Sequence, residues 1–184
     1  LLAANAGGSD GSATNVYNTA VGYNTGAVIS TGLRNTIVGG GAGVNFDAEN
    51  DNTFIGAFAG AGAINGAEKC VAVGSSTLTG DITQDGTVAV GYSALTGLTS
   101  GEQNVAVGFE ALKTQTTGGA NVAIGYEALE TLNHSTADGN TAVGNNALKL
   151  LIQGAGNTAI GTNTCDAFGK DETDNTAIGT NAMG

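Results

Sequence analysis

The residues that could do chemistry are few and scattered. The single histidine, His134, sits in the segment Asn133-His134-Ser135-Thr136, so a nucleophile needing an imidazole base has one candidate and no assembled triad. Cys70 and Cys165 are the only cysteines, and no Cys/His/Asp group shows zinc-ligand spacing. Acidic residues gather at Asp47, Glu49 and Asp51 and again at Asp171, Glu172 and Asp174. A loose calcium site competes there with solvated loop charge, and the loop reading is preferred. The glycine–aspartate nonapeptide of calcium-binding β-rolls is absent. The stretch Gly39-Gly40-Gly41-Ala42-Gly43 has neither the G-x-G-x-x-G spacing nor a following helix, so it is no nucleotide loop. No carboxylate pair stands out for glycoside cleavage, and Asn133-His134-Ser135 is only a formal glycosylation sequon. The expectation is a protein that is not an enzyme, with no catalytic residue, cofactor or metal.

What positions these residues is a repeat. A short Asn/Thr/Ala/Val/Gly phrase returns ten times: NTAVG at Asn18, NTIVG at Asn35, NTFIG at Asn52, CVAVG at Cys70, TVAVG at Thr87, NVAVG at Asn104, NVAIG at Asn121, NTAVG at Asn140, and NTAIG at Asn157 and Asn175. A fixed period over the whole length signals a stacked, rod-like architecture. Residues 1–17 are a lead-in and residues 18–184 the repeat domain, read as a segment of a longer chain. Seventeen to nineteen residues per unit are too few for leucine-rich repeats or propeller blades, which leaves a parallel β-solenoid or β-roll. Collagen is excluded, because glycine (32 residues) follows no three-residue period and proline is absent.

Within each phrase the apolar period is two, the signature of a short strand. Val21, Val38, Ile55, Val73, Val90, Val107, Ile124, Val143, Ile160 and Ile178 precede the glycines. They are expected to form the coil core, with the Thr/Val column two residues earlier on the same face. Opposite parity belongs to Ala20, Ile37, Phe54, Ala72, Ala89, Ala106, Ala123, Ala142, Ala159 and Ala177. A strand apolar on both faces is covered on both, so this small-residue row is expected to meet other copies of the chain. The few large side chains per coil are scant for ordering it alone, which also favours an oligomer. A second strand is expected after the glycine, with Leu78, Leu95, Leu112, Leu129 and Leu148 as its apolar column, continued by Cys165 and Met183. Gly26, Gly43 and Gly60 hold that place in the first three repeats. There Ile37, Phe54 and Phe58 are expected to supply the bulk, with a changed cross-section between repeats three and four.

The recurrent Asn is expected to ladder along the rod and bond the turns. Stacking at about 4.8 Å per coil keeps Cys70 and Cys165 roughly 24 Å apart, beyond the reach of about 7 Å that a disulfide allows; both are read as apolar filler. Lys113, Glu130 and Lys149 share one coil position and can ladder, while Glu110 and Glu127 stack like on like. The net charge of −11 speaks against nucleic acid and anionic membranes. No apolar run is long enough to span a bilayer, so no membrane insertion is expected.

The phrases NVAIG, NVAVG and NTAIG resemble the head repeats of YadA-type trimeric autotransporter adhesins. NVAVGFEALKTQTTGGA and NVAIGYEALETLNHSTADG are still more similar to repeats of phage tail fibres, over nearly the whole chain from Asn18 to Met183. The resemblance implies a left-handed parallel β-roll, three chains side by side, and adhesion. By position it implies Val122 and Ile124 in the coil core and Ala123 toward the trimer interior. The autotransporter repeat is shorter, so these coils carry an extra loop. The expected role is that of a structural and adhesive segment of an extracellular fibre, a virion appendage or cell-surface filament. Its partners are further copies of itself and a cell-surface glycan or protein receptor. The longer loops, with His134, Asp138, Lys170 and Asp171, are the candidate contacts. Alternatives are an autotransporter head, an ice-binding solenoid and a glycan-cleaving tailspike. The ice-binding alternative is disfavoured because the Thr column shares parity with the expected core.

Overall fold

The β-branched centre of each phrase becomes a three-residue strand. The computed structural model describes residues 17–184; all of the expected lead-in except Tyr17 lies outside them. The strands are β1 (Thr19–Val21), β2 (Thr36–Val38), β3 (Thr53–Ile55), β4 (Val71–Val73), β5 (Val88–Val90), β6 (Val105–Val107), β7 (Val122–Ile124), β8 (Thr141–Val143), β9 (Thr158–Ile160) and β10 (Thr176–Ile178). They form one sheet in sequence order. Every neighbouring pair is parallel and in register, phrase position on phrase position, as in Val105↔Val122 and Ala106↔Ala123. The protein is an all-β parallel solenoid of about nine turns.

The phrase-ending glycine is fixed by the stacking. Gly108 has φ +142°, and a Cβ there would lie 2.1 Å from the carbonyl oxygen of Gly125 one coil on. Any side chain would push the coils apart, so a residue without Cβ is needed. The expected second strand does not form. The chain curls instead through alternating left-handed residues, such as Ser93 (φ +52°) and Leu95 (φ +50°), or Glu110 (φ +54°) and Leu112 (φ +50°). These turns still bond coil to coil: Leu95 N–H donates to Ala111 O at 3.1 Å and Glu110 N–H to Tyr92 O at 2.9 Å. Positive φ at every second residue is incompatible with extended backbone, and it swings the leucines inward.

The faces of the strand are the reverse of those expected. Ala72, Ala89, Ala106, Ala123, Ala142 and Ala159, with Ile37 and Phe54, are wholly buried inside the single chain, and Ala20 and Ala177 nearly so. All of these but Ala20 join Leu78, Leu95, Leu112, Leu129 and Leu148 in one core. The row assigned to a trimer interface is therefore the inner wall. The row assigned to the coil core faces out: Val38, Val73, Val90, Val107 and Val143 are half-buried and Val21, Ile55, Ile124, Ile160 and Ile178 exposed. Val122 likewise lies half-buried on the outer face. The leucines reach across a narrow interior and leave room only for a methyl opposite, whatever the transfer energy of Val or Ile.

A further inner column went unrecognised in the sequence: Phe46, Ile64, Ile82, Leu98, Leu132 and Leu151, all buried. Phe46 packs edge-on to Phe54 with ring centroids 5.8 Å apart. Phe58, expected inside, is 57% exposed, and Met183 is also exposed. At the junction of repeats three and four the ladder runs on unchanged: β3 pairs β4 in the common register, and Gly60 N–H donates to Thr77 O at 2.9 Å. Beyond these rungs the path does change: Ile64 and Ile82 follow Gly60 and Leu78 by four residues, whereas Phe46 and Leu98 follow Gly43 and Leu95 by three and close a turn onto them.

The asparagines line the inside. Asn121 N–H donates to Asn104 Oδ1 at 3.0 Å, Asn140 N–H to Asn121 Oδ1 at 2.9 Å, and Asn157 N–H to Asn140 Oδ1 at 3.0 Å. Each amide nitrogen also donates to a loop carbonyl, as Asn104 Nδ2 to Gly118 O at 2.9 Å and Asn121 Nδ2 to Ala137 O at 2.7 Å. One side chain thus ties strand, neighbouring coil and loop, and satisfies buried backbone groups. At Cys70 the thiol takes over weakly, donating to Gln84 O at 3.6 Å. Both cysteines are free and buried, and burial pushes their thiols up.

Candidate functional site

Three surfaces stand out, each set by the coil register. The first is the outer face of the sheet. Its two columns contain only Thr, Val and Ile over all ten strands. No charge interrupts it, in a chain of net −11. In β4 to β7 both columns are Val or Ile, so the middle of the face is apolar throughout. Thr19, Thr36 and Thr53 at one end and Thr141, Thr158 and Thr176 at the other border it with hydroxyls. Contiguous apolar surface of this kind marks an interaction site more often than it marks chance.

The second surface adjoins the first, just past the phrase glycines. Tyr92, Phe109 and Tyr126 stack ring on ring, with centroids 5.3 and 5.1 Å apart and planes within 16° and 7° of parallel. All three are exposed. Beside them Lys113 Nζ lies 2.9 Å from Glu110, and Lys149 contacts Glu127 and, at 3.5 Å, Glu130. The expected ladder keeps its Glu130–Lys149 rung, while Lys113 pairs with Glu110 of its own coil and Lys149 also reaches Glu127. Lys149 holds the Glu127 carboxyl below the usual carboxylate range, while Glu127 raises the Tyr126 phenol and Glu110 raises Lys113. Glu110, Glu127 and Glu130 form the one three-carboxylate cluster among the described residues whose oxygens lie within 4.8 Å of one another. The two lysines already occupy these carboxylates, so the cluster reads as an ion-pair network.

The third surface is an open groove of about 410 Å³ lined by Ser100, Glu102, Gln103, Thr117, Gly119, Ala120, Ser135 and Asp138. A smaller one of about 330 Å³, lined by Thr83, Gln84, Asp85, Glu102 and Gln103, shares its Glu102–Gln103 wall. Together they follow the loops that lead into β5 to β8.

The singled-out loop residues do not converge on one point. His134 is exposed, and its Nδ1 contacts the Thr136 hydroxyl at 2.9 Å within its own loop. Asp138 accepts from Gly119 N–H at 2.7 Å and lines the groove. Lys170 and Asp171 are exposed and lie outside it. Lys170 N–H donates to Glu172 Oε2 at 2.9 Å.

The acidic clusters serve their own turns. Glu49 is buried and accepts from the N–H groups of Asp47, Ala48 and Gly66 at 2.9–3.0 Å. Asp51 takes a two-pronged pair from Arg34 at 2.6 and 2.8 Å, which lowers the Asp51 carboxyl and raises Arg34. In the glycine stretch, a Cβ on Gly41 would strike the Phe58 ring at 2.7 Å, so that glycine makes room for an aromatic. Among the described residues no helix is long and apolar enough to cross a membrane. No protein family, curated protein or solved structure matches the chain.

Proposed function

We propose that this chain is a structural and adhesive segment of a trimeric extracellular fibre, a phage tail fibre or a comparable appendage such as an autotransporter head. Three left-handed coils stand side by side, and the rod supports attachment to a surface glycan or protein. The observation that carries the reading is the uncharged outer sheet face, continuous over ten strands. A strongly acidic chain meets its own copies most favourably where it has no charge. Burying each half-exposed Val or Ile of that face contributes about 1 kcal/mol. Fourteen per chain match the roughly 4–15 kcal/mol that association costs. The repeats' likeness to adhesin and tail-fibre phrases supports the same reading. The interface now proposed is the Val/Ile face, in place of the Ala row. Three parallel copies add avidity to weak single contacts.

The test is native mass by sedimentation equilibrium, with Val107→Lys as the probe. The expected mass is three times 17.8 kDa. The variant is expected to be monomeric with an unchanged circular dichroism spectrum, since Val107 is only half-buried within its own chain. A monomeric wild type overturns the trimer.

Ice binding is a second reading, because the Thr column stands on the outer face and not in the core. Ordered hydroxyls at coil spacing on a flat sheet would organise water. Four successive Val residues (Val71, Val88, Val105, Val122) interrupt that column, which favours the fibre. Thermal hysteresis from a monomer would reverse the preference.

A further inference from the structure

The loop groove carries its own chemistry. Its walls repeat along the rod because the loops are stacked by backbone bonds: Ala120 N–H donates to Glu102 O at 2.8 Å and Gly139 N–H to Gly119 O at 3.1 Å. Hydroxyls and amides face it from successive coils, among them Ser100, Gln103, Thr117 and Ser135. No basic and no aromatic residue lines either section. The charges are carboxylates, two of them already engaged. Asp138 accepts from Gly119 N–H at 2.7 Å, and Asp85 accepts from Glu68 N–H at 2.8 Å, with Lys69 Nζ 4.0 Å away. Glu102 alone has no side-chain partner among the described residues.

We infer that this groove binds an uncharged, hydroxyl-rich glycan strand laid along the rod axis. Sugar hydroxyls both donate and accept, which suits a lining of hydroxyls, amides and carboxylates. Glu102 and its neighbours repel sulfated, phosphorylated and uronic chains. A cationic peptide would find one unengaged carboxylate where it needs a row. The rise of about 4.8 Å per coil is close to the length of one pyranose in an extended chain, so each coil meets about one sugar. Behind the wall lies Gln115, buried with both amide atoms unpaired. Its Nε2 sits 2.2 Å from where a Cβ on Gly118 would be, between the lining residues Thr117 and Gly119. The inference names the receptor class for the adhesive reading and rests on it, though the groove itself lies off the sheet face.

The experiment is calorimetric titration of the assembled protein with cellohexaose, maltohexaose, mannohexaose and chitohexaose. Hyaluronan hexasaccharide and hexalysine serve as charged controls. At least one neutral probe is expected to bind and the controls to fail. Ala120→Trp, which fills the groove, is expected to weaken binding at least tenfold. Gln103→Ala is expected to weaken it severalfold, and it keeps the test valid should the tryptophan disturb the loop. Silence from all four neutral probes, binding of hexalysine alone, or affinity untouched by both variants overturns the site. Sedimentation of the same sample separates the two ideas: a trimer that binds no probe loses the groove and keeps the fibre, whereas a monomer that binds keeps the groove and loses the fibre.

Discussion

The second and third coils and the middle ones share a strand register and divide the interior differently. In β2 and β3 the strand centre is large, Ile37 and Phe54, and the left-handed slot facing it is Gly43 or Gly60, at φ +53° and +59°. From β4 to β8 the centre is Ala and the same slot is leucine, Leu78 to Leu148, at φ +50° to +53°. A Cβ on Gly60 would meet the Phe54 ring at 2.6 Å, so the two sites compete for one volume. In these coils the interior fixes the sum of two side chains and leaves their order open, as close-packed cores do.

The largest expected effect breaks this exchange. Phe54→Ala should destabilise the protein by about 3–5 kcal/mol, read from urea unfolding. Adding Gly60→Leu converts the coil to the middle type and should recover most of the loss. A double variant no better than the single one would falsify the shared-volume account. Next comes the converse in a middle coil. Leu112→Ala empties the slot opposite Ala106 and should cost about 3 kcal/mol, part of which Ala106→Ile in the same chain should return.

A smaller effect of opposite sign is expected in the other inner column. Gln115 stands between Leu98 and Leu132 with both amide atoms unpaired, so Gln115→Leu should raise stability by about 1–2 kcal/mol, seen as a later thermal midpoint. The smallest concerns the lysine–glutamate network of the middle coils. Lys149→Ala should cost under about 1 kcal/mol. The folded Glu127 carboxyl lies below its ordinary range, so the contribution is present above the unfolded carboxylate pKa and fades as pH falls through the folded value. Denaturation curves of wild type and variant at neutral and acid pH should converge at the acid end. A gap that persists there would point to packing by the lysine stem instead.

The strands were legible to the residue, because Thr-Ala-Val bounded by Asn and Gly has one reading at period two. Which face turns inward was not, since parity separates two faces without ranking them, and bulk favoured Val and Ile. The missing signal was present: wherever the strand centre grows, at Ile37 and Phe54, the facing residue shrinks to glycine. Residues that trade volume must touch, and that pairing places the Ala row inside. The turn after the glycine misled for another reason. Leu95 and Ser93 adopt left-handed backbone that non-glycine residues rarely take, so propensity pointed to a strand. Of the loop candidates, Asp138 lines a groove, but Ser100, Glu102 and Gln103 complete it only through stacking that one loop's sequence cannot reveal.

The same stacking sets how the rod responds to force. Every strand-to-strand bond runs along its long axis, so coils under an axial pull open bond by bond, as a zipper does, and yield one at a time instead of shearing together. A coil of 17 residues that gives way releases about 55–60 Å of extended chain in place of about 4.8 Å of rod. A single chain would therefore yield in long, evenly spaced steps while its remaining coils stayed intact, and act as a tether that lengthens under load before it breaks.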